Sequence, residues 1–133
     1  MSELGVARHR ARERALEILY EASIKDRPVL DVVKDLSIRP DEYVMALLTS
    51  SFDHVARADE LIGEFSIDWP LERIALVDRL VMTLAIGEMM MSEPPPKAVI
   101  LDEAVELAKV YSTDASPKFV NGVLSSIAEH ILQ

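Results

Sequence analysis

Val99-Ile100-Leu101-Asp102-Glu103-Ala104-Val105-Glu106-Leu107-Ala108-Lys109-Val110-Tyr111, followed closely by Ser116-Pro117-Lys118-Phe119-Val120-Asn121-Gly122-Val123-Leu124-Ser125-Ser126-Ile127-Ala128-Glu129-His130-Ile131, is the stretch whose reading decides the fold. In the first segment Ile100, Ala104, Leu107, Ala108 and Tyr111 share one helix face, and Asp102, Glu103, Glu106 and Lys109 fall outside it. In the second, Phe119, Val123, Ile127 and Ile131 recur every four residues, flanked by Val120 and Leu124. Ser116-Pro117 reads as an N-cap and a first helical residue with a preset φ. The short turn between the segments predicts an antiparallel pair, with Ile100, Leu107 and Tyr111 packed against Phe119, Val123 and Ile127.

The same period recurs in the rest of the chain. Ala15, Ile18, Leu19 and Ala22, with Leu16 and Tyr20 beside them, predict a helix from about Arg8 to Ile24, closed by Pro28. A short helix is expected over 29–36. The Arg39-Pro40-Asp41 break opens one longer helix running to about 63–65. Trp69-Pro70 then marks a boundary, because a residue preceding proline is driven out of the helical region. A turn over 71–76 leads to a helix over 77–91, apolar nearly all round and therefore central. Pro94-Pro95-Pro96 ends it. No stretch alternates with period two, so the fold class is all-α: a single domain over 1–133, with helical halves at about 1–66 and 67–133.

The 133 residues contain no cysteine, which removes disulfides, thiolate nucleophiles and Cys-ligated zinc. Met1-Ser2-Glu3 leads into a basic stretch with no apolar segment behind it, so no signal peptide is expected. The longest apolar run, Leu80 to Met91, is too short to span a bilayer. A cytoplasmic protein with no membrane contact is the expectation. The net charge is −9, yet residues 1–14 carry Arg8, Arg10, Arg12 and Arg14 against only Glu3 and Glu13. One basic end suits an anion, and an acidic body suits a basic partner.

The arginine run is the leading candidate site. Placed at a helix start, where it opposes the helix dipole, it can meet several phosphates and stack on unpaired bases. Its alternative is a solvated helix end. Either way, substitution of Arg10 or Arg12 is expected to spare stability. Asp102, Glu103 and Glu106 read as a solvated face. Glu88 interrupts an apolar run; emergence at a protein contact is the expectation, with pairing inside as the alternative. His9, His54 and His130 lie on separate helices without ligand spacing. No phosphate-binding glycine loop or catalytic triad is visible, so neither a cofactor nor an enzyme is expected.

Three segments resemble the NusB family. They are Arg8-His9-Arg10-Ala11-Arg12-Glu13-Arg14 with Ala15-Leu16-Glu17-Ile18-Leu19-Tyr20, then Asp102-Glu103-Ala104-Val105-Glu106-Leu107-Ala108-Lys109, then Lys118-Phe119-Val120-Asn121-Gly122-Val123-Leu124. The last matches the family's closing signature, and residues 25–65 agree only in being helical. The resemblance implies two packed three-helix bundles, a partnership with the ribosomal protein NusE, and binding of boxA-type single-stranded RNA of nascent ribosomal transcripts within an RNA polymerase antitermination complex. It implies RNA contacts at Arg8, Arg10, Arg12, Lys118 and Phe119, and NusE contacts at Tyr20 and Glu88. Three departures stand out: Asp102 for the usual Asn, Thr83 where arginine is common, and Gly87 where an aromatic is usual. The competing reading is a NusB-like module for protein contact alone, self-association into a homodimer included. Related domains also occur fused ahead of RNA methyltransferases, but no catalytic domain is expected beyond Gln133, so a standalone enzyme is not the expectation.

Overall fold

The computed structural model describes residues 2–67 and 69–132. Ser2 starts the first helix, its hydroxyl accepting the Gly5 N–H at 2.9 Å. Helix α1 runs Glu3–Lys25 and ends at Asp26, whose left-handed backbone (φ 52°) lets the Arg27 N–H return to the Ala22 carbonyl at 3.0 Å. It therefore begins five residues before the expected start at Arg8. Helix α2, Val29–Lys34, is a single short element.

The helix expected from residue 41 to about 65 is two helices, α3 (Glu42–Asp53) and α4 (Val55–Phe65). They meet at His54 (φ −111°, ψ 13°), whose ring Nδ1 lies 2.8 Å from the Ser50 carbonyl that also receives its amide. A 3-10 turn at Leu71–Arg73 precedes α5, Leu76–Met89. Helices α6 (Lys97–Tyr111) and α7 (Ser116–Ile131) complete the chain, and the described residues contain no strand.

Helix α5 is the hub. Every residue from Leu80 to Met89 is buried, and the helix packs against α1, α3, α4, α6 and α7. That follows from its all-round apolar sequence, since a helix without a polar face has no side to offer water. The α6–α7 pair forms as expected, with Ile100, Leu107, Val123 and Ile127 buried. Tyr111 departs from the expectation. It is half exposed and turns toward α1, donating its hydroxyl to Glu13 at 3.2 Å. Ser116 is the first residue of α7 rather than its cap. Its oxygen receives the Thr113 N–H and its hydroxyl reaches Ser112, which in turn bonds the buried Asp78 of α5 at 2.5 Å. The turn before α7 is thus tied to the hub.

Candidate nucleic-acid interface

The arginine run lies in the second to fourth turns of α1, not at its free end, so the helix dipole gives no hint of function there. Helical periodicity spreads the four side chains around the axis. Arg10 and Arg14 point to water. Arg8 is half-buried, with its guanidinium 4.7 Å from the centre of the Tyr43 ring, a cation–π contact. Arg12 turns inward and is only 3 % exposed.

Arg12 occupies a polar pocket inside an apolar core. Its Nε and Nη2 donate to the two carboxylate oxygens of Glu88 at 2.8 and 2.7 Å, and its Nη1 donates to Glu103 at 2.9 Å. Glu88 is 1 % exposed and also accepts the Tyr43 hydroxyl at 2.6 Å. Glu103 in turn lies 3.0 Å from Nδ1 of His9. Burial alone pushes the Arg12 guanidinium down. The hydrogen bond and charge of Glu88, with the charge of Glu103, outweigh burial and hold it above its ordinary value. Burial, then Glu88, likewise push the Tyr43 hydroxyl up.

Three expectations are corrected by this geometry. Arg12 has no face for a phosphate, because its Nε, Nη1 and Nη2 are all engaged by carboxylates and the side chain is buried. Glu88 does not emerge at a protein surface, because α1 and α3 cover it with Arg12 and Tyr43. Glu103 is not a member of a solvated face, whereas Asp102 and Glu106 are exposed. The buried charges tie α1, α3, α5 and α6 together.

Gly87 has a packing reason. A Cβ there would lie 2.9 Å from the backbone N and Cα of Ser51, so only glycine lets α3 approach α5 this closely. Ser50 uses that proximity to donate to the Gly87 carbonyl at 2.5 Å.

What remains at the surface is a cationic face. Arg10 and Arg14 form one wall of a cleft of about 400 Å³ whose other wall is the segment between α2 and α3, including Ile38, Arg39 and Pro40. In the sequence Arg39 stands out only as part of the Arg39-Pro40-Asp41 break. Lys118 is exposed on the first turn of α7, and Phe119, half-buried against the core, lines a separate groove with Trp69, itself 50 % exposed. Tyr20 is 45 % exposed and lines a groove of about 300 Å³ with Leu16, Val77 and Tyr111. The arginine face and the Phe119 groove are thus distinct features of the surface. No group of three His, Asp or Glu side chains among the described residues is placed to hold a metal ion, and no described helix is long and apolar enough to cross a membrane.

Helices packed around a central apolar one, with free arginines gathered on one face, define an all-α protein equipped to meet a polyanion. The chain belongs to the NusB family, whose model matches residues 9–129. It is 43 % identical over 127 residues to the transcription antitermination protein NusB of Kineococcus radiotolerans, covering 92 % of this chain and 93 % of that one. It is 40 % identical over 127 residues to the protein of the same name from Thermobifida fusca, covering 92 % and 89 %. Among solved structures, T. maritima NusB aligns with a TM-score of 0.82 at 30 % identity, over 92 % of this chain and 90 % of that one. A chain from the complex of the antitermination factors NusB and NusE with dsRNA aligns with a TM-score of 0.74 at 26 % identity, over 92 % and 96 %.

Proposed function

We propose that this chain is an RNA-binding transcription antitermination factor that acts with the ribosomal protein NusE on boxA-type RNA of nascent ribosomal transcripts. The observation that carries this reading is the exposed arginine face of α1 on a chain whose net charge is −9. A polyanion gains most where cations are unpaired and hydrated, since neutralising phosphates releases condensed counterions. Arg8 and Arg10 are the RNA contacts of α1, joined by Lys118 and Phe119 at the start of α7. Arg12 acts indirectly, by fixing α1 against α5 and α6. Tyr20, at the rim of its apolar groove, is the contact for NusE, and the acidic body favours a basic partner.

The role is recognition rather than catalysis, in the cytoplasm and without a cofactor. The halves at about 1–66 and 67–133 act as one domain, a reading supported by α5, which packs on helices from both. The experiment is a titration of single-stranded boxA RNA, with duplex RNA as competitor, across salt and with or without saturating NusE. The proposal expects binding that weakens steeply with salt and tightens with NusE. RNA must then tighten NusE binding by the same factor. Salt-independent or absent RNA binding alongside intact NusE binding would favour the protein-contact module instead.

A further inference from the structure

The cleft between α1 and the segment before α3 joins parts of the chain that the sequence keeps far apart. Arg10 and Arg14 come from α1, and Arg39 comes from the segment between α2 and α3. Arg10 and Arg39 have no hydrogen-bond or ion-pair partner among the described residues, and Arg14 has only a loose contact with Glu17 at 3.6 Å, both side chains exposed. One carboxylate, Asp41, lines the same cleft, and it makes no capping hydrogen bond to α3. Three guanidinium groups against one carboxylate, on a strongly acidic chain, is a local charge imbalance that folding alone gives no reason to assemble. Like charges gathered at one opening repel each other unless an anion sits between them.

The cleft is also not purely polar. Ile38 is 83 % exposed at its rim, and Pro40 lies beside it. A single-stranded nucleic acid offers both chemistries at once, charged phosphates on its backbone and unstacked apolar base faces. An acidic peptide would satisfy the arginines but would leave Ile38 in water.

We propose that this cleft seats one nucleotide of single-stranded RNA, and that Arg39 is a phosphate-contacting residue acting across the cleft from Arg10. Ile38 packs on the sugar or base of the same nucleotide. The segment between α2 and α3 is then part of the RNA-binding surface rather than a passive connection. This assignment rests on the RNA-binding reading given above and extends it to an element outside α1 and α7.

The test is fluorescence anisotropy with a labelled single-stranded boxA RNA over a salt series, in the presence of NusE, for the parent chain, Arg10→Gln, Arg39→Gln, Ile38→Ser and the remote control Lys109→Gln. Removing one phosphate contact lowers the salt slope by about 1. Arg39→Gln is expected to weaken binding and lower the slope in that way, as Arg10→Gln does. Ile38→Ser is expected to weaken binding without changing the slope, and Lys109→Gln to change neither. If Arg10→Gln weakens binding and Arg39→Gln does not, the cleft assignment is overturned while the RNA-binding reading stands. If the parent shows no salt-dependent RNA binding, both fall. A polyglutamate peptide that binds the parent, loses affinity in Arg39→Gln and leaves RNA binding untouched would assign the cleft to a protein partner and overturn the proposal.

Discussion

The two sides of α1 carry the same residue type in different physical states. On the side facing α5 and α6, Arg12 is buried between Glu88 and Glu103 with bidentate geometry. On the side facing residues 38–41, Arg10 is in water with no acidic partner among the described residues. Desolvation makes the difference. A buried guanidinium is tolerable only when its donors are satisfied by fixed carboxylates, and losing one partner leaves the other charge stranded. A hydrated guanidinium contributes little to folding, and for that reason is free to neutralise a phosphate. Two positions two residues apart thus serve stability and recognition separately.

The largest effect is expected from Arg12→Met. It leaves the buried Glu88 charge without its cation, held by the Tyr43 hydroxyl alone, and should cost about 3–5 kcal/mol in urea unfolding. Adding Glu88→Leu should recover part of the loss, because an apolar pair of similar volume needs no desolvation. A single-variant loss no larger than that of a surface change would mean that water already reaches the pair.

Next comes the purely apolar seam between α6 and α7, where Leu107→Ala should cost about 2–5 kcal/mol through lost burial and a residual cavity. An unchanged urea midpoint would mean this face is not core. If Leu107→Ala fell within its range and Arg12→Met did not, the polar junction would be the softer of the two.

Tyr43 makes the buried side of α1 sensitive to pH. Its hydroxyl donates to Glu88, and burial and Glu88 together raise its pKa in the folded state. A group with a raised folded pKa contributes stability that is complete below its unfolded value, about 10 for tyrosine, and is lost as pH rises through the higher folded value. The parent should therefore lose stability in alkali above about pH 10. Tyr43→Phe should forfeit about 1.5–3 kcal/mol at neutral pH and show a shallower alkaline loss. Parallel pH profiles for the two proteins would exclude Tyr43 as the source.

Much of this was legible in the sequence. The α6 and α7 stripes, the central α5 and the proline breaks follow from period and turn chemistry. The division of 41–65 into α3 and α4 did not, because nothing in the composition around His54 breaks a helix; the local backbone bends while the apolar pattern runs on. The role of Arg12 was within reach. Counting back from Leu16 and Leu19 along the buried stripe lands on Arg12, and Glu88 is the complementary acid in an apolar run. Reading the arginines as one cluster hid that pairing, since adjacency in sequence is not adjacency on a helix. Glu103, Tyr43 and Arg39 were invisible as partners because they come from elements whose packing no local pattern reveals.

The smallest expected stability effect belongs to Arg10→Glu, within about 0.5 kcal/mol of the parent, and the same variant separates recognition from folding. Its affinity for single-stranded boxA RNA, measured across salt beside its melting curve, reads recognition and folding in one protein. The division of α1 into a structural side and a recognising side predicts an unchanged melting temperature, weaker binding and a salt slope reduced by about 1 or more. Unchanged affinity and slope in a folded Arg10→Glu protein would contradict it.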